Sequence, residues 1–140
     1  MVKVHAVCIS TETGTRKDTV ESITLVEEHG VRGDAHAGSG RQVSLLDVAS
    51  IDRLKPRLAT LGPGDFAENI TLEGFDPSQA QIGMRLEIND VVLEITQIGK
   101  KCHHMCDIRK QVGACAMPKE GLFARVIRGG EIAPGDAVTF

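Results

Sequence analysis

The stretch Met84-Arg85-Leu86-Glu87-Ile88-Asn89-Asp90-Val91-Val92-Leu93-Glu94-Ile95-Thr96-Gln97-Ile98 reads as a β-hairpin. Leu86 and Ile88 alternate with charged residues on the first arm, and Val91–Ile98 is an apolar run on the second. Between them Asn89 and Asp90 form the tip, and both residue types tolerate positive φ. The same grammar recurs towards the C-terminus. Residues 122–127, 131–132 and 137–140 read as strands, separated by Arg128-Gly129-Gly130 and Ala133-Pro134-Gly135-Asp136. Ile82-Gly83-Met84-Arg85-Leu86 and Ala133-Pro134-Gly135-Asp136-Ala137-Val138 are two similar entries into a strand. Towards the N-terminus, residues 3–9 alternate, with Val4, Ala6 and Cys8 opposite Lys3, His5 and Val7. Further strands are expected over 23–28, 42–46 and 70–72. Asp47 can cap a helix over roughly 48–58, with Ile51, Leu54 and Leu58 at helical spacing, which Pro56 kinks or ends at Lys55. Strands with Gly/Pro turns outnumber helices, so the expected class is mostly β: a small barrel with one or two short peripheral helices.

A chain of 140 residues forms one domain, 1–140, with a core that needs no disulfide or metal staple. Aromatic content of 3% without Trp or Tyr argues against stacking surfaces for single-stranded nucleic acid. The net charge of −3 agrees, and no nucleic-acid partner is expected. No apolar run approaches the ~20 residues of a membrane span, and Met1–Val7 is too short and polar for a signal-peptide core. The expectation is a cytoplasmic protein whose cysteines stay reduced.

Directly after Val91–Ile98 comes Gly99-Lys100-Lys101-Cys102-His103-His104-Met105-Cys106-Asp107-Ile108-Arg109-Lys110. Two of the four cysteines and two of the five histidines lie here. A thiol flanked by ammonium groups where a strand hands over to a loop should have a lowered pKa. Cys102 is therefore the candidate nucleophile or ligand, whereas Cys8, inside a strand, reads as core. Three readings of the cluster stand: a metal site using Cys102, Cys106 and His103 or His104; a dithiol switch; and a single functional thiolate. Zinc ranks behind the thiolate because a complete ligand set would have to recruit Cys115, His36, His29 or His5. The dithiol switch is weakened by the missing C-x-x-C spacing.

The second concentration is His29-Gly30-Val31-Arg32-Gly33-Asp34-Ala35-His36-Ala37-Gly38-Ser39-Gly40, followed by Arg41. Glycines allow tight turns and close backbone approach, and Arg32, Asp34, His36 and Arg41 crowd a loop suited to a phosphate or other anion. His36 alone would read as a turn histidine, and Glu68-Asn69 as a strand-start cap.

Taken in order, several segments resemble the MOSC domain, named after the molybdenum cofactor sulfurase C-terminus. They are Gly33–Gly38, Arg41–Leu46, Gly64–Thr71, Ile82-Gly83, the strand ending in Lys100-Lys101-Cys102, and Gly121–Val126 with Gly130 and Gly135-Asp136. The small stand-alone bacterial type fits best. The resemblance implies a barrel-like β fold and association with the molybdenum cofactor, molybdopterin. It also implies a cysteine, by position Cys102, that ligates molybdenum or carries sulfur, with Arg32, Asp34, His36, Arg41, Asn69, Lys100 and Lys101 as cofactor-binding candidates. Partners implied are the pterin cofactor and a cysteine desulfurase or a molybdoenzyme; a storage or hand-over module without turnover is the alternative. The approach to the cysteine departs from the Pro-Arg-x-Pro-Cys type of many members.

Overall fold

In the computed structural model the described residues are 1–13, 15–99 and 117–140. They form eleven strands: β1 Val2–Ile9, β2 Asp18–Val20, β3 Ile23–Val26, β4 Gly30–Val31, β5 Val43–Asp47, β6 Ile70–Glu73, β7 Arg85–Ile88, β8 Val91–Ile98, β9 Leu122–Arg128, β10 Gly130–Ile132 and β11 Ala137–Val138. The described residues also form two short helices, α1 Val48–Asp52 and α2 Met117–Glu120, and a 3-10 turn at Pro77–Gln79. The main sheet runs β11-β1-β6-β5-β9-β8-β7, with β2 added on β1. It curls until its ends meet, because Glu87 in β7 and Thr139 just past β11 exchange backbone hydrogen bonds of 2.8 and 2.9 Å. A small second sheet, β10-β3-β4, lies beside it. This is the mostly-β barrel with short peripheral helices that the turn-rich sequence implied.

The two similar strand entries are equivalent turns. Met84 N donates to Gln81 O, and Asp136 N to Ala133 O. Gly83 and Gly135 stand at φ 89 and 95, the left-handed position that a type II turn demands. Each feeds one of the two strands that close the barrel. The β7–β8 hairpin has the expected register, with Ile88 opposite Val91 and Asn89 at φ 55.

The central strands separate two cores by their alternation. Val43 and Leu45 of β5, with Leu122, Ala124 and Val126 of β9, fill the barrel alongside Leu86, Leu93, Ile95 and Leu72. Leu46 and Phe123 point to the other face, where they pack with Ile51, Leu61, Phe66 and Met117. Strand β5 is consequently buried along its whole length.

Three expectations need correction. The helix after Asp47 ends at Asp52, not near Leu58. Beyond it the bonds shorten to i+3 turns, Leu54 N to Ile51 O, Lys55 N to Asp52 O and Leu58 N to Lys55 O, since Pro56 has no N–H and disfavours α geometry at Lys55. Leu54 and Leu58 still pack on the outer core. The strand expected over 23–28 ends at Val26, where Glu28 turns at φ 52 into β4. Val7, expected on the Lys3/His5 face, is fully buried because a bulge between Val4 and Ala6 shifts the register against β6.

Candidate functional site

On the outer face of β5 and β9 a cleft is lined by His36, Arg41, Ser44, Phe66, Ala67, Met117 and Phe123. Strand alternation explains much of it: Ser44 shares its face with Leu46, and Phe123 lies on the side of β9 away from the barrel core. Arg41 stacks its guanidinium over the Phe123 ring at 5.2 Å and donates from Nε to Gln97 Oε1 at 3.4 Å. Gln97 Nε2 in turn donates to the Gly99 carbonyl at 2.9 Å. Gln97 reaches this face through a bulge between Ile95 and Gln97 that pairs it with Phe123. Unbroken alternation would have sent it inward with Ile95. Gly99 N is bonded to Gly121 O at 2.7 Å, so the strand end that enters Lys100-Lys101-Cys102 is anchored beside Arg41.

His36, which also lines the cleft, stands on a buried ionic support. Lys17 Nζ lies 2.8 Å from Asp34 Oδ1 with both side chains fully buried, and 3.2 Å from His36 Nδ1. Asp34 also accepts from Ser10 N at 3.0 Å and His36 N at 3.1 Å. Burial alone would raise the Asp34 pKa. The Lys17 ammonium and the two backbone N–H groups outweigh it and hold the carboxyl well below the usual range. Lys17 N bonds Gly64 O at 2.8 Å. A Cβ on Gly64, at φ 86, would stand 2.1 Å from Lys17 O, so this contact requires glycine.

Behind the cleft wall is a second polar group. Asn69 is fully buried; its Oδ1 accepts from Ser44 N at 3.1 Å and Ser44 Oγ at 3.2 Å, and its Nδ2 donates to Cys8 O at 3.2 Å. Ser44 Oγ also lies 3.2 Å from Ala67 O, and Ala67 holds a left-handed φ of 65. Glu68, next in the chain, is fully buried. Its Oε2 accepts from Thr71 Oγ1 at 2.7 Å, while Oε1 has no hydrogen-bond partner among the described residues. Burial pushes its pKa up. The Cys8 thiol is pushed up to about 12, by burial first and then by Glu68, in keeping with a core cysteine.

Of the site candidates read from sequence, the structure brings His36 and Arg41 to one cleft. Asp34 lies beneath His36, its side chain fully buried. Asn69 is sealed behind Ser44 and offers no exposed surface to a ligand. Arg32 is exposed and outside the cleft lining. Lys100, Lys101, Cys102, His103 and Cys106 lie outside the described residues. Lys17, Ser44, Gln97 and Phe123 escaped the sequence reading. Lys17 sits in a Ser/Thr-rich loop without a pattern, and Gln97 in a strand that also carries Glu94 and Thr96, so its polarity gave no distinct signal. Among the described residues no group of three or more His, Cys, Asp or Glu side chains could hold a metal ion, and no helix is long and apolar enough to cross a membrane.

The MOSC domain family matches residues 32–139, and the chain belongs to that family, which is linked to molybdenum-cofactor sulfurase-type function. The fold is similar to that of the YuaD protein from Bacillus subtilis, at a TM-score of 0.80 and 15% identity over 99% of this chain and 94% of that one. It is also similar to YiiM from Geobacillus stearothermophilus, at 0.74 and 16% over 99% and 74%, and to YiiM from Escherichia coli, at 0.67 and 17% over 98% and 66%. No curated protein matches the sequence significantly.

Proposed function

We propose that this protein binds the pterin form of the molybdenum cofactor in the His36–Arg41 cleft and uses Cys102 as the thiolate that ligates molybdenum or carries sulfur. The observation that carries the reading is the link Arg41–Gln97–Gly99, which joins a cationic cleft to the strand end three residues ahead of Cys102. Three residues reach at most about 11 Å along the chain, which supports assigning the thiol to this cleft. The donor set fits the anionic end of the cofactor. Arg41 forms no ion pair among the described residues, and Phe66, Phe123 and Met117 supply apolar walls. When bound, the cofactor would bring a soft metal suited to thiolate and a phosphate suited to guanidinium and ammonium groups. Arg41, His36 and the basic Lys100 and Lys101 would hold it. A cysteine desulfurase is the partner if Cys102 carries sulfur, and a molybdoenzyme if the cofactor is handed on.

Molybdenum, zinc, pterin and persulfide contents of anaerobically purified protein test this, measured beside melting temperature. Cys102→Ser should abolish molybdenum retention or persulfide, because a neutral hydroxyl is a poor soft-metal ligand and holds no sulfane sulfur. Cys106→Ser should keep most of both. Equal loss of zinc and of thermal stability in both variants, joined by a His103 variant, would replace this reading with a zinc-stabilised domain.

A further inference from the structure

The buried Lys17 has a chemical consequence for the cleft. An ammonium has three donors and no acceptor. At 3.2 Å from Lys17 Nζ, His36 Nδ1 therefore accepts. The opposite arrangement, with a proton on Nδ1, would turn an N–H against the ammonium. It would also have to reach Asp34 Oδ2 across 3.6 Å, beyond hydrogen-bond range. The backbone N–H of His36 already bonds that same oxygen at 3.1 Å, which fixes where the ring is carried.

We infer that Lys17 is a positioning residue: it holds His36 as a neutral imidazole protonated on Nε2, so that the cleft presents an uncharged N–H donor in addition to the Arg41 cation. This rests on the cleft being the anion site proposed above. The imidazole side chain is about one-third exposed at 32% while Lys17 and Asp34 are fully enclosed, so Nε2 is the ring nitrogen left for a ligand. One charged and one neutral donor lining one cleft suit an oxyanion that keeps a partial negative charge on two separate oxygens, such as a phosphate ester. A carboxylate or a second cation in place of Lys17 and Asp34 would not impose the same tautomer.

The ring nitrogens of the intact protein can be read by nitrogen-15 NMR at neutral pH, first alone and then with inorganic phosphate. The expected result is an unprotonated Nδ1 and a protonated Nε2 on His36, with phosphate shifting Nε2 and the Arg41 guanidinium. The double substitution Lys17→Met with Asp34→Asn removes the ion pair as a unit; if it folds, the ring should relax to mixed tautomers and phosphate affinity fall about tenfold. A wild-type His36 carrying its proton on Nδ1, or charged at neutral pH, overturns the inference without recourse to any variant. If that happens while phosphate still binds near Arg41, the proposed cofactor cleft survives and only the role of Lys17 falls. An Nε2-protonated ring that phosphate leaves unmoved keeps the tautomer but overturns the cleft as an anion site, and with it the recognition half of the inference.

Discussion

Two buried polar groups flank the same cleft wall, and they differ in one respect. The Asn69 group, with Ser44 and the Cys8 carbonyl, is closed: the Asn69 carboxamide bonds inward and its side chain has no exposure. The Lys17–Asp34 group is equally buried but opens at one end onto His36, which lines the cleft. A closed network ties strands together, here β1, β5 and β6, and fixes a unique packing. An open one orients the group at its end, as supporting partners orient a ligand-binding histidine elsewhere. Similar burial thus serves assembly in one place and presentation in the other.

The largest effect should come from breaking the open group from within. Asp34→Ala strands a fully enclosed ammonium and should cost about 3–5 kcal/mol of stability in urea unfolding. A cost under about 1 kcal/mol would mean that water reaches Lys17. The two regions also part with pH. The Asp34 carboxyl is depressed in the folded state, so its contribution is present above the ordinary carboxylate pKa of about 4 and is lost as pH falls below it. The stability gap between wild type and Asp34→Asn should therefore shrink in acid. Cys8, on the closed side, has a raised pKa of about 12. Its contribution is whole below about 9 and is lost as pH rises towards 12. Native Cys8 should accordingly resist alkylation near neutrality, and rapid labelling there would contradict its burial.

Asn69→Ala should cost about 2–3 kcal/mol by orphaning Ser44 and the Cys8 carbonyl, while phosphate binding by the folded protein stays within about twofold. Loss of binding equal to that of a cleft variant would erase the distinction between the two groups. Arg41→Ala should show the opposite profile and the smallest change in stability, under about 1 kcal/mol. Its cation–π and hydrogen-bond contacts lie on the outer face, so the effect appears in anion affinity instead. Unchanged affinity in that variant would return the glycine-rich turn to a structural role.

What the sequence determined alone is local. Turn chemistry at Asn89-Asp90, Gly83 and Pro134-Gly135, with alternation in residues 84–98, was enough to read a hairpin-rich β barrel, because φ requirements and period-2 burial are set within a few residues. The order of short segments was likewise enough to point to the MOSC family, and the crowding of His36 and Arg41 to a shared turn. Tertiary structure decided the rest. Lys17 meets Asp34 and His36 across a loop that no spacing encodes, and Gln97 faces Arg41 because a bulge reverses its side of β8. Asn69 sits behind the wall and not on it because its amide is drawn to β1 and β5. Which face a residue takes after a bulge, and which partner satisfies a buried charge, depend on the strand paired beside it; that partner lies tens of residues away in the chain.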